Sequence, residues 1–134
     1  MAKNEMQIEF VTSTFTTHTF QQQILDTKVD YQITNMNESM LITISQMDMP
    51  QFQSMSMALK RNGNRTLEPY VAVLYGACNV DEIGHNLAAK IAKKLEKRVI
   101  YLILNVTDST KIMIPEIEKR LYNEIKQFPS KFGL

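Results

Sequence analysis

Residues Val99 to Leu104 read VIYLIL, apolar on both alternating sets. Side chains of a strand point alternately to the two faces of its sheet, so a strand with no polar set is written for burial on both sides. Two helical patterns flank it. Before it, Ile83, Leu87, Ile91 and Leu95 recur every four residues as one stripe, widened by Ala88, Ala89 and Ala92. After it, Ile117, Leu121, Ile125 and Phe128 form a second stripe, and Glu116, Glu118, Lys119, Arg120, Glu124 and Lys126 are assigned to the outer face. Pro115 fits only the first turn of that helix, which places its start near Ile114, and Pro129 stops it. These helices can cover one face of a sheet. A chain of 134 residues has little left for the other, so a partner is the expected cover.

The first half of the chain reads as strands. Ile8 to Phe20 is rich in β-branched and aromatic residues; Val29, Tyr31 and Ile33 alternate; Met40 to Met47 follows after a turn. Consecutive strands imply an antiparallel meander. Pro50 breaks it. Met55, Met57 and Leu59 then alternate with Ser54, Ser56 and Ala58, giving one apolar and one small face. Asn62-Gly63-Asn64 signals a turn, and YVAVLY after Pro69 reads as the returning strand of a hairpin. Asn79 and Glu82 have the outline of a capping box for the first helix, expected from Asp81 to Arg98.

Composition narrows the function. Lys and Arg total 15 against 14 for Asp and Glu, without the basic excess of a nucleic-acid binder. A single cysteine, Cys78, excludes an internal disulfide framework and fits a reducing compartment. No apolar run has the length of a signal peptide or a membrane span. The chain is expected in the cytoplasm, with the nucleus as a second compartment.

No catalytic set stands out. His18 and His85 lie in different elements, and no Cys, His or carboxylate spacing matches a zinc motif. Cys78 is either a nucleophile, if His85 comes near, or a buried or loop cysteine with no role, and the usual local signatures of a catalytic cysteine are absent. Gly76-Ala77-Cys78-Asn79 precedes a helix but lacks the glycines and lysine of a phosphate loop. No cofactor is expected. Six of the nine methionines fall between Met36 and Met57, either as core filler or as an adaptable binding surface. Lys90, Lys93, Lys94, Lys97 and Arg98 make either a solvated helix end or a contact for an acidic partner.

The second half also carries an ordered set of short motifs. Leu87-Ala88 and Ile91-Ala92-Lys93-Lys94 lead into the strand ending Leu104-Asn105. Thr107-Asp108-Ser109, the helix with Glu118, Arg120 and Glu124, and Phe128-Pro129-Ser130-Lys131-Phe132 follow. In order and spacing this resembles the proteasome assembly chaperone 4 family. The resemblance implies an α+β fold in one domain spanning 1–134: a mainly antiparallel sheet, here of about six strands, with two helices on one face. It implies that the second face pairs with a paralogue, assembly chaperone 3. It implies further that the pair binds α-type subunits of the 20S proteasome during α-ring formation and leaves before maturation.

On that reading the chain is not an enzyme. Its partner interface is Met55, Met57, Leu59, Val99, Tyr101 and Ile103, and its family motif is Asn105, Thr107, Asp108, Ser109, Phe128, Pro129, Lys131 and Phe132. Asp108 or Ser109 either caps the following turn or touches a partner. Phe128 and Phe132 are expected to pin the end of the chain to the sheet. Two other classes stay open: a small enzyme or ligand-binding domain built around Cys78 and His85, and a homodimeric scaffold.

Overall fold

The structure, a computed structural model, describes residues 15–47, 53–60, 68–76, 78–95, 99–107 and 113–134, with the backbone alone over 78–82. One sheet of six strands holds β1 (Thr16–Ile24), β2 (Thr27–Asn35), β3 (Ser39–Gln46), β4 (Met55–Leu59), β5 (Tyr70–Tyr75) and β6 (Val99–Asn105). Their order is β1-β2-β3-β6-β4-β5, and only the β3/β6 pair is parallel. Helix α1 (Cys78–Lys94) precedes β6; α2 (Ile114–Gln127) and a 3-10 helix (Pro129–Phe132) follow it. The expected α+β architecture, meander and hairpin are present. Pro115 stands in the first turn of α2, where its missing N–H costs nothing.

Both helices lie on one face. The stripe of α1 buries Leu87, Ile91 and Leu95 against the sheet. Its Gly84 comes so close to β4 that a Cβ there would meet Ser56 Oγ at 3.2 Å. That approach explains why β4 presents only Ser54, Ser56 and Ala58 to the helix. In α2, Ile117, Leu121 and Ile125 are buried. Beneath the helices lies one core, built from Val29, Tyr31, Ile33, Ile42, Ile44, Ile100, Leu102 and their neighbours.

Several expectations need correction. The first strand does not end at Phe20 but continues through Gln21–Ile24. The reversal is a two-residue turn at Leu25 and Asp26, with Ile24 facing Thr27. That turn contains no glycine, and Asp26 is its one turn-forming residue; Leu25 itself adopts the left-handed conformation, φ 51°. Phe128 does not continue the α2 stripe inward. Pro129 ends the helix, the chain turns into the 3-10 helix, and Phe132 takes the buried place at 0% exposure while Phe128 is 43% exposed. Glu124 is not on the outer face either: it is 6% exposed, bonded to His18 and Arg120. Helix α1 begins at Cys78, ahead of the expected Asp81.

Residues 1–14, Pro50, Asn62-Gly63-Asn64, the side chains of Asn79 and Glu82, and Asp108 and Ser109 lie outside the described residues. The N-cap of α2 is Met113, with no side-chain capping bond.

Candidate docking face

The sheet face opposite the helices is built by parity. On β6 the even-numbered residues Ile100, Leu102 and Leu104 are buried under the helices, and the odd-numbered set points the other way. On β4 the small residues face α1 and the large ones face away. Register then brings the large residues together: Met55 stands beside Ile103, Met57 beside Tyr101, and Leu59 beside Val99. All six predicted interface residues therefore share one surface. Leu41 flanks Tyr101 from β3, and Tyr70 flanks Leu59 from β5. Neither helix crosses this surface. Five of the six residues are half-buried by their neighbours and Leu59 is exposed. The second apolar set of β6 is thus only half covered, unlike the first.

The face changes character across the sheet. Over β4 and β6 it is apolar. Over β1 and β2 it carries Thr17, Thr19, Gln21, Asp30 and Gln32. An apolar centre beside a polar margin is the anatomy of a protein-binding surface. Of the methionines in the rich segment, Met55 and Met57 lie on this face, whereas Met40 is fully buried core. Met40 thus meets the core-filler reading, while Met55 and Met57 are placed on the open face.

Asn105 and Thr107 close one end of the face. The Asn105 Oδ1 accepts from the backbone N–H of Gln53 at 2.8 Å, and its Nδ2 donates to Ser45 Oγ at 3.3 Å. Thr107 donates both its N–H and its hydroxyl to Gln46 Oε1, at 3.3 and 3.2 Å. These motif residues hold β6 to its two neighbours, a role visible only once β6 is placed between β3 and β4. At the far end of the chain Pro129 sets the exit of α2, and Lys131 is exposed on the 3-10 helix.

The described lysines of the basic cluster find partners within the chain. Lys90 pairs with Glu118 at 3.4 Å, Lys93 pairs with Glu68, and Lys94 lies 4.6 Å over the Tyr122 ring. That favours the helix-end reading of the basic cluster; Lys97 and Arg98 lie outside the described residues. His85 is exposed on α1, and the Cys78 side chain is among those not described. Among the described residues no cluster of three or more His, Cys, Asp or Glu is placed to hold a metal ion. None of the described helices is long and apolar enough to cross a membrane.

Sequence reasoning missed one cluster. His18 of β1 meets Glu124 of α2 at 3.1 Å, and Arg120 reaches the other carboxylate oxygen at 3.0 Å. Arg120 also lies over Phe20, which stacks on Tyr31 at 4.5 Å. The Tyr31 hydroxyl donates to Gln22 Oε1 at 2.6 Å, and burial raises its pKa against a smaller opposing effect of Arg120. All of this lies under the helices, away from the open face.

The family described as proteasome assembly chaperone 4 matches residues 28–106, from the start of β2 to just past β6. The chain belongs to the proteasome assembly chaperone 4 family. The matched span contains all six residues of the open apolar face, so this surface lies within the family's shared region. The protein is accordingly a proteasome assembly chaperone. In three dimensions it is similar to a chain from a chaperone complex for yeast 20S proteasome assembly. The TM-score is 0.68 at 11% identity, covering 86% of this chain and 98% of that one. At that identity the likeness concerns the fold. No curated protein matches the chain.

Proposed function

We propose that this proteasome assembly chaperone 4 relative works as one half of a heterodimer with the paralogous assembly chaperone 3. On this reading residues 1–134 act as one domain. The pair binds α-type subunits of the 20S proteasome while the α-ring forms, then leaves before the particle matures. One observation supports the pairing above all: Met55, Met57, Leu59, Val99, Tyr101 and Ile103 lie together, in register, on a face that neither helix covers. Burying such a face stabilises a complex in proportion to the apolar area removed from water. It does so without chemistry, by shape and apolar contact, which suits a partner that must later be displaced. Family membership favours a non-enzymatic role. The location that goes with it is the cytoplasm, and also the nucleus.

The test is purification of the tagged chain from its native lysate, with the eluted proteins identified by mass spectrometry. The expected set is assembly chaperone 3 with 20S α-type subunits and few mature β-type subunits. Retention on the finished 20S particle would overturn the release step. Clean self-association with no chaperone 3 present would overturn the heterodimer in favour of a homodimeric scaffold.

A further inference from the structure

Strand β4 has five residues, and no turn ties it to β6. Tight turns organise the pairs on the far side of β6: two residues join β1 to β2, and β3 follows β2 after three. By contrast β6 arrives from α1 and is inserted between β3 and β4. Burial fixes which side chains of β4 face the helices. It does little to hold the leading end of the strand, because Ser54, Ser56 and Ala58 offer the core small side chains. That leading end carries Met55 and Met57, two of the six residues of the docking face.

We propose that Asn105 is the positioning residue of this face, tying β3, β6 and the lead-in of β4 together so that Met55 and Met57 stay seated beside Ile103 and Tyr101. The inference rests on the open face being the partner surface. Asn105 follows Ile103 by two residues, so its side chain rises on the same open face. One amide group serves both neighbours. Its oxygen accepts from Gln53 N–H at 2.8 Å, and its nitrogen donates to Ser45 Oγ at 3.3 Å. Ser54 completes the tie through backbone atoms: Leu104 N–H donates to the Ser54 carbonyl at 3.1 Å, and Ser54 Oγ donates to the Leu104 carbonyl at 3.0 Å. An alanine at 105 loses both arms. An aspartate keeps the acceptor for Gln53, and the Ser45 hydroxyl can turn to donate to it.

Two measurements test this on the whole chain: residue-resolved amide hydrogen exchange of the chain alone, and titration with purified assembly chaperone 3. In Asn105→Ala, exchange at Gln53 and Leu104 is expected to quicken roughly tenfold, while Tyr31 in β2 keeps its rate. Affinity for chaperone 3 is expected to fall roughly fivefold to tenfold, and Asn105→Asp is expected to restore both. Gln53→Pro removes the same bond from the other side and decides the matter if Asn105→Ala does not fold. Unchanged exchange at Leu104 in both variants would overturn the proposal, as would acceleration spread evenly over the sheet. A wild-type chain that does not bind chaperone 3 would instead sink the heterodimer, while the exchange comparison still decides whether Asn105 seats β4.

Discussion

His18 of the edge strand β1 donates across to Glu124 of α2, with Nε2 and Oε2 3.1 Å apart. The carboxylate is almost fully buried and shared with Arg120, whose Nη2 lies 3.0 Å from Oε1. Removing Glu124 therefore strands two polar partners at once. Glu124→Ala is expected to cost about 2 kcal/mol in denaturant unfolding, and Glu124→Gln about half as much, since the amide oxygen still accepts. Equal losses in the two variants would contradict this account.

Phe132 anchors the end of the chain. It is fully buried, and its ring packs edge-on against His18 at 6.2 Å. Phe132→Ala is expected to destabilise by about 3 kcal/mol, whereas Phe128→Ala, on the exposed side of the same turn, is expected to cost about 1 kcal/mol or less. The comparison of the two unfolding midpoints checks the assignment.

Leu25 is 82% exposed and sits at φ 51°, where a side chain crowds its own backbone. Leu25→Gly relieves that strain and is expected to raise stability by about 1 kcal/mol. No gain in melting temperature would mean that the turn is not held in this conformation.

Tyr122 gives the chain an alkaline limit. Burial, the hydrogen bond to Glu118 and the negative charge of Glu118 push its phenol up to about 12 from 10.0. The folded state thus prefers the protonated phenol. Its contribution is fully present below pH 10 and is lost as pH rises from 10 toward about 12. Tyr31 is raised as well, so both work in the same direction. Tyr122→Phe is expected to lose stability less steeply above pH 10 than the wild type, as read from unfolding midpoints across that range.

Met57 stands at the middle of the open face beside Tyr101. Met57→Lys points its charge away from the core, so stability should change by no more than about 0.5 kcal/mol. Binding to chaperone 3 is expected to weaken at least roughly tenfold, because the ammonium would be desolvated in the interface. Intact binding with an intact fold would remove Met57 from the contact.

Much of this was legible in the sequence where periodicity carries the information. The stripes of α1 and α2, the parity of β4 and the doubly apolar β6 follow from side-chain alternation, and parity picks out the three face residues of each strand. What stayed hidden depends on pairs distant in the chain. Glu124 reads as a solvent residue because its partner His18 lies 106 positions earlier. Asn105 stands out as a motif residue, but its work needs Ser45 and Gln53 on either side. Leu25 carries none of the usual turn chemistry. The strand order was equally hidden, since nothing local says that β6 enters between β3 and β4.

That insertion governs how the molecule comes into being. Until residues 99–105 arrive, β1–β3 and the β4–β5 hairpin are two fragments that share no strand pairing among the described residues, each with an inner edge that only β6 fills. Closing the sheet brings Ser39 beside Val99 and Met55 beside Ile103, contacts that reward the chain only after long loops have closed. During synthesis the apolar edges of β3 and β4 stay open to false pairing while the ribosome is still making their partner. A protein that guards unfinished assemblies is, while it is being made, an unfinished assembly of the same kind, waiting for its central strand.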